Sequence, residues 1–340
     1  MKHRPTTLLL LSALVAGSIH TQAQQVSDQG EINAATTDSI TYTQQGDVFQ
    51  EHAWRKGEIV HTRTVGAGTP ISFFWQEEEM TYPCTVFARG VSKEKGWYDV
   101  NKKKDGRTGK DAVLCWAAAC ANMLEWWQDR YRERFGELPA KAITGPGKEY
   151  ELALFELYQR DWNNINGSEV DYGIPWYLTG EDRTENVQGV DQPKAPGGYY
   201  AEEWDKIAPL MEKNYVYSIL GYSTWGDGWD VDPNSNPLQI VTDIVVDALR
   251  HGLASFTVRV GYSNMHAITL WGYDLNEKGQ LSRVYVTDSD DMLNRPNEPR
   301  VQILNEYDIE MRNGREVGLV NMIDKFNMIA RIIPFKGNLN

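Results

Sequence analysis

The stretch Leu114-Cys115-Trp116-Ala117-Ala118-Ala119-Cys120-Ala121-Asn122-Met123-Leu124-Glu125-Trp126-Trp127 constrains the fold of this chain more than any other. Turn-forming segments around Lys104-Asp105-Gly106 and Gly109-Lys110-Asp111 precede it, and helix formers then run unbroken to about Phe135, where Gly136 and Pro139 end them. Trp116, Cys120, Met123, Trp127 and Tyr131 recur at helical spacing, so they form one apolar, core-facing stripe. Cys115 stands just off that stripe, in the first turn. Unpaired backbone N–H groups there carry partial positive charge, which favours a thiolate. Cys120, on the stripe, reads as a buried structural thiol.

Elsewhere the helical signal is confined to two segments, Glu149–Trp162 with Leu152, Phe155 and Tyr158 inward, and Leu238–His251 closed by Gly252. Strand-like runs follow: Ala254–Val260, Ala267–Tyr273, Leu281–Thr287, Val301–Leu304 and Met328–Pro334. Helices come first and strands later without alternation, which is an α+β layout. Between them, Asn163–Asn236 has poor periodicity and many aromatic residues, among them Trp176, Tyr177, Tyr199, Tyr200, Trp225 and Trp229. Long irregular segments of this kind are often functional loops.

The N-terminus reads as an export signal. Lys2, His3 and Arg4 precede an apolar run from Thr7 to Ile19, too short to span a bilayer, and Thr21-Gln22-Ala23 offers a cleavage site. Residues 1–23 are therefore expected to be a signal peptide and the chain to be secreted or periplasmic. Residues 24–80 are expected to be an N-terminal extension or pro-segment, polar and poorly ordered to about Gly46, with short β-like runs at Ile59–Thr62 and Ile71–Trp75. Residues 81–340 are expected to form the main domain. A net charge of −13 excludes the basic footprint that nucleic acid or an anionic membrane requires. Three cysteines leave one thiol over in an exported chain; a Cys84–Cys120 disulfide with Cys115 free is one possibility.

His266 opens one strand and Asp288 ends the next, with the turn Asn276-Glu277-Lys278-Gly279 between them. Folding this hairpin about the middle of the turn sets His266 opposite Asp288, at a separation of about 5 Å between Cβ atoms. Asp290 points to the same side. Metal readings are weak. Asp288, Asp290 and Asp291 lack the glycine and terminal glutamate of a calcium loop, as do Asp230, Asp232, Asn234 and Asn236. There is no HExxH or CxxC for zinc, and no cofactor is expected. A Cys at a helix start with a His about 130–150 residues downstream is the order found in papain-like enzymes.

Several motifs are familiar: Gly96-Trp97-Tyr98-Asp99-Val100-Asn101-Lys102, Leu114-Cys115 with Asn122-Met123-Leu124 and Trp126-Trp127, His266-Ala267-Ile268 with Leu270-Trp271-Gly272, and Tyr285-Val286-Thr287-Asp288-Ser289-Asp290. In this order they resemble the IdeS/Mac family of secreted bacterial cysteine proteases, which cleave immunoglobulin G and have a papain-like fold. The resemblance covers roughly Tyr82–Phe335. It implies a papain-like domain acting as a monomer on a protein substrate, an immunoglobulin. By the same resemblance Cys115 is the nucleophile, His266 the general base and Asp288 its orienting carboxylate. Asp290 matches a second family aspartate, and Lys102 a lysine of the oxyanion hole. Three extra residues before Cys115 leave Lys103 and Lys104 as alternatives to Lys102. Two other functions stay open: a transglutaminase-type acyl transferase with the same triad, and an extracellular glycan- or protein-binding module with an inactive triad.

Overall fold

The computed structural model describes residues 39–45, 48–55, 58–66, 83–103, 111–211, 216–218, 229–230, 236–261, 264–292 and 301–337. The signal-peptide segment, Ile71–Trp75, Lys104, Trp225, Asp232 and Asn234 lie outside them. The chain divides into two compact units, with the boundary after Met80. The first unit contains an antiparallel meander of β1 (Ser39–Gln45), β2 (Val48–Arg55) and β3 (Glu58–Gly66). Ser39–Gln45 falls inside the stretch read as poorly ordered. Its Ser and Thr content is polar, but seven backbone pairings with β2 hold it as a strand.

The second unit carries the site. Helix α1 spans Cys115–Phe135 and ends where Gly136, at φ 86°, returns its N–H to Arg132. From Trp116 to Gln128 every residue is buried, so the expected single stripe is too narrow a description. The helix lies between α2 (Ala153–Asp161) and α3 (Val170–Thr179) on one side and the sheet on the other. Full burial forces its polar residues to find partners. Gln128 does so through Tyr177, Tyr200 and the Ile143 carbonyl.

Helix α2 begins later than expected, at Ala153 rather than Glu149. The Glu156 carboxylate accepts the N–H groups of Glu149 and Tyr150, and this holds the preceding residues in a loop. Helix α3 has no counterpart in the sequence reading, because Gly173 and Pro175 lie inside it. Gly173 is where α3 crosses α1: an added Cβ would sit 2.7 Å from Cys120 Sγ and 2.8 Å from Trp116 Cζ3. Three of the aromatic residues named for this region are core. Trp176, Tyr177 and Tyr200 are buried, and Tyr199 stacks on Tyr177 at 4.8 Å. Buried in this way, these three rings cannot serve as an outward contact or stacking surface. Their aromatic neighbours absorb them.

After β4 (Cys84–Phe87), two short strands β5 (Tyr217–Ser218) and β6 (Trp229–Asp230), and helix α4 (Pro237–His251), six strands complete a nine-stranded sheet. They are β7 (Leu253–Val260), β8 (Asn264–Leu275), β9 (Leu281–Thr287), β10 (Asn305–Arg312), β11 (Glu316–Val320) and β12 (Phe326–Phe335). Their antiparallel order β12-β7-β8-β9-β10-β11 closes when β11 pairs with β12, forming a barrel. Helix α4 packs against β7, β9, β11 and β12. The chain is thus α+β. The expected strand Val301–Leu304 is a loop, and the strand begins at Asn305. β10 alternates exposed Glu306, Asp308 and Glu310 with half-buried Tyr307 and Ile309, so it carries little apolar signal. No helix among the described residues is long and apolar enough to cross a membrane.

Strand β8 is the longest and has three partners. Its first half pairs with β7, its second half with β4, and β9 runs along the other edge. None of the three cysteines is in a disulfide, so the Cys84–Cys120 bridge does not form. Cys84 lies on β4, while Cys120 is buried in α1 with Sγ 3.7 Å from the Val170 carbonyl oxygen.

Candidate active site

Cys115 is the first residue of α1. The preceding Leu114 has no side-chain acceptor to cap the helix, and its own N–H bonds to the Asp111 carbonyl. The N–H groups of the first turn have no intrahelical partner and lie at the end of the helix that carries the thiol. Cys115 is half-buried, whereas His266, Asp288 and Lys102 are buried, at 6%, 3% and 3% exposure.

The structure brings Cys115, His266, Asp288, Asp290 and Lys102 together. His266 Nε2 lies 2.6 Å from Asp288 Oδ1, which also accepts the Asp290 N–H at 2.9 Å. The thiol of Cys115 bonds to the His266 ring and is approached by the Ala267 N–H. With Nε2 engaged by Asp288, Nδ1 is the ring nitrogen left for proton exchange with sulfur. Asp290 Oδ2 stands 3.8 Å from Nδ1, a longer and looser contact. Its other oxygen is 2.6 Å from the Lys102 ammonium, which also donates to the Ala112 carbonyl at 3.2 Å. The Lys102 N–H bonds to the Ser289 carbonyl and so ties the lysine segment to the aspartate turn. Lys103 is directed away: its ammonium lies over the Tyr150 ring and 3.6 Å from Glu149.

The hairpin register differs from the expectation. A simple fold would place Thr269 opposite Tyr285 or Val286; it pairs with Thr287. Irregularities between Leu270 and Gly272 and between Asp274 and Leu275 account for the slip. Continued past the end of β9, that register would bring Asp290 level with His266. The chain instead leaves the strand at Asp288, whose carbonyl accepts the Asp291 N–H, and this turn directs the Asp288 carboxylate to Nε2.

The electrostatics form one coupled set. Burial alone would raise the Cys115 thiol. The bond and charge of His266, the charge of Lys102 and the Ala267 N–H outweigh burial and bring it below the usual thiol value. Burial would likewise neutralise His266, but Asp288 and Cys115 hold its imidazolium well above the ordinary histidine range. Asp288 stays below the usual carboxylate value because His266 and the Asp290 N–H overcome its desolvation. Lys102 is opposed by burial and raised by Cys115, Asp290 and Asp288. These are the conditions for a thiolate–imidazolium pair with a fixed cation beside it.

A ring nitrogen and two carboxylate oxygens of His266, Asp288 and Asp290 fall within 4.8 Å of one another, a grouping that could hold a metal ion. The charged Lys102 ammonium already stands against Asp290 and opposes a second cation there. Sequence reading did not anticipate Asp99. Its buried carboxylate accepts the Asn101 side chain and the Ile303 N–H, and burial beside Asp291 pushes it well above the usual carboxylate range. No local pattern distinguishes it from a surface aspartate.

Residues 15–159 and 234–313, together more than half of the chain, match the family described as Mac 1. The chain belongs to the Mac-1 family. The two segments matched to Mac-1 contain all five residues of the site, and the intervening unmatched stretch contains all of α3 with the buried Trp176, Tyr177 and Tyr200. Among known proteins, an "IgM protease" of Streptococcus suis (strain P1/7) is 26% identical over 220 residues, covering 58% of this chain and 18% of that protein. The chain therefore spans less than a fifth of the length of that relative.

Proposed function

We propose that this chain is an exported cysteine endopeptidase that cleaves an immunoglobulin, working as a monomer without metal or cofactor. The observation that carries the reading is the contact chain Cys115–His266–Asp288 at the start of α1 and the open end of the β8–β9 hairpin. In this mechanism the Cys115 thiolate attacks the scissile carbonyl and the carbon–sulfur bond forms as the carbonyl electrons move to oxygen. The developing oxyanion is held by the first-turn N–H groups of α1 and the Lys102 ammonium. His266 then delivers a proton to the leaving amine, and an acyl-enzyme remains on sulfur. Water, deprotonated by His266, releases the acid and restores the thiolate. Asp288 keeps the imidazole oriented and charged. Asp290 holds Lys102 in place. A helix bearing the nucleophile, packed on an antiparallel sheet that bears the histidine and its carboxylate, also supports a papain-like plan for residues 81–340.

Family membership and the activity for which the Streptococcus suis relative is named support an immunoglobulin as substrate. Incubation of the purified protein with intact IgG and IgM, beside casein and short peptides, tests this reading. A few discrete immunoglobulin fragments, absent with Cys115→Ala, are expected. Rapid hydrolysis of casein and peptides with untouched immunoglobulins would refute the substrate assignment. Conjugates to an added amine in place of new termini would favour acyl transfer.

A further inference from the structure

Asn122 lies about two turns along α1 from Cys115, and the proposed chemistry makes no direct use of it. Its carboxamide is 2% exposed and bonded at both ends. Oδ1 accepts the Val100 N–H at 3.2 Å, while Nδ2 donates to Thr269 Oγ1 at 3.2 Å and to Thr287 Oγ1 at 3.3 Å. Thr287 Oγ1 in turn donates to the Tyr98 carbonyl at 3.0 Å and accepts from Trp271 Nε1 at 2.8 Å. Its single hydrogen is committed to Tyr98, so it can only accept from Asn122. The amide therefore fits in one orientation, with nitrogen toward the threonines and oxygen toward Val100.

Each partner is a near neighbour in sequence of a different reacting group. Val100 precedes Lys102 by two residues, Thr287 directly precedes Asp288, and Thr269 follows His266 by three. Helix α1 carries Cys115 itself. One side chain thus joins the helix, both strands of the hairpin and the lysine segment. The two strands are already bonded to each other, but the nucleophile's element and the histidine's element are distant in sequence. An apolar residue would suit a helix face buried against a sheet, and a buried amide is tolerated only when its bonds are made. Such a network adds geometric specificity where plain packing would allow the helix to slide.

We propose that Asn122 is a positioning residue that sets the approach of the Cys115 thiol to His266, and that its bonds to Val100 and Thr287 align Lys102 and Asp288 in the same frame. This rests on the Cys–His–Asp reading given above. The test uses the full chain and follows alkylation of Cys115 by iodoacetamide against pH, with the label located at Cys115 by mass spectrometry. Immunoglobulin cleavage is measured in parallel. Thr269→Val removes one acceptor at nearly constant shape, and Asn122→Leu removes the whole hub. Val241→Ala in α4, a buried residue away from this network, serves as the stability control.

In Asn122→Leu the alkylation midpoint is expected to rise by about one pH unit, a tenfold loss of thiolate at a given pH. The kcat should fall by roughly a hundredfold, the scale of a small misplacement of reacting groups, with KM nearly unchanged. Thr269→Val should show both effects in smaller measure, and it decides the matter if Asn122→Leu does not fold. Val241→Ala should lose stability and keep the wild-type midpoint. A low midpoint in wild type that stays unchanged in folded Thr269→Val and Asn122→Leu would overturn the proposal and leave the hydrolase reading standing. A wild-type midpoint at the ordinary thiol value would overturn both.

Discussion

Replacing Asp288 by Asn keeps the shape of the side chain and removes its charge. The carboxylate is buried, lies 2.6 Å from His266 Nε2 and holds the imidazolium well above the ordinary histidine value against the cost of burial. A hydrogen bond between charged groups contributes about 1.5–3 kcal/mol, and one pKa unit is 1.36 kcal/mol. The substitution should therefore lower the His266 pKa by about one to two units. Cys115 responds in the opposite direction, because its thiol is kept low chiefly by the bond and charge of His266 acting against burial. The reactive thiolate–imidazolium pair exists only between these two titrations. In Asp288→Asn the acid limb of kcat/KM should move up in pH and the alkaline limb down, so the active window narrows from both sides. The peak should drop by roughly 10⁴-fold, the scale seen when the orienting carboxylate of a triad is lost. The folded-state pKa of Asp288 is lowered and that of His266 raised, so their mutual stabilisation is full between about pH 4 and pH 6.5. It fades as pH falls through the folded Asp288 value and as pH rises through the folded His266 value. Paired kcat/KM profiles and urea melts of the two proteins across that range measure both effects. An unchanged profile, or an alkaline limb that moves upward, would refute the coupling.

Cys115→Ala should abolish cleavage with folding intact, whereas Cys120→Ala should keep most activity at a stability cost of about 1–2 kcal/mol for the lost buried sulfur; fragment analysis and urea melts separate the two. Lys102→Ala should lower kcat by roughly ten- to a thousand-fold, the scale of one oxyanion donor, while Lys103→Ala should not, since its ammonium is directed to Tyr150 and Glu149. Asp290→Ala should cost less activity than Asp288→Ala because it releases Lys102 without freeing the imidazole; steady-state kinetics of the pair shows the order. Gly173→Ala should destabilise the protein by about 1–3 kcal/mol through the clash of its new Cβ with Cys120 and Trp116, and part of that loss should return in a Cys120→Ala background.

The sequence alone determined those features whose cause is local. Cys115 at a helix start and Gly136 at its end follow from periodicity and a stop signal within one segment. The β8–β9 hairpin follows from two apolar runs either side of a short turn. Cys115 and His266 lie in these local elements and Asp288 directly follows one, so their types and order were legible. Tertiary structure decided what depends on contacts between distant segments. Two irregularities shifted the hairpin register, and the turn after Thr287 brought Asp288 to Nε2 and left Asp290 to Lys102. The closure of β11 on β12 was invisible because β10 is half exposed and β11 has only five residues. The helix α3 was hidden by Gly173 and Pro175, a glycine that only the crossing with α1 explains. Asn122 reads in sequence as an indifferent polar residue within an apolar helix. It gains a role only because Val100, Thr269 and Thr287 arrive around it from segments far along the chain, and periodicity reports which face is buried but not what the buried face meets.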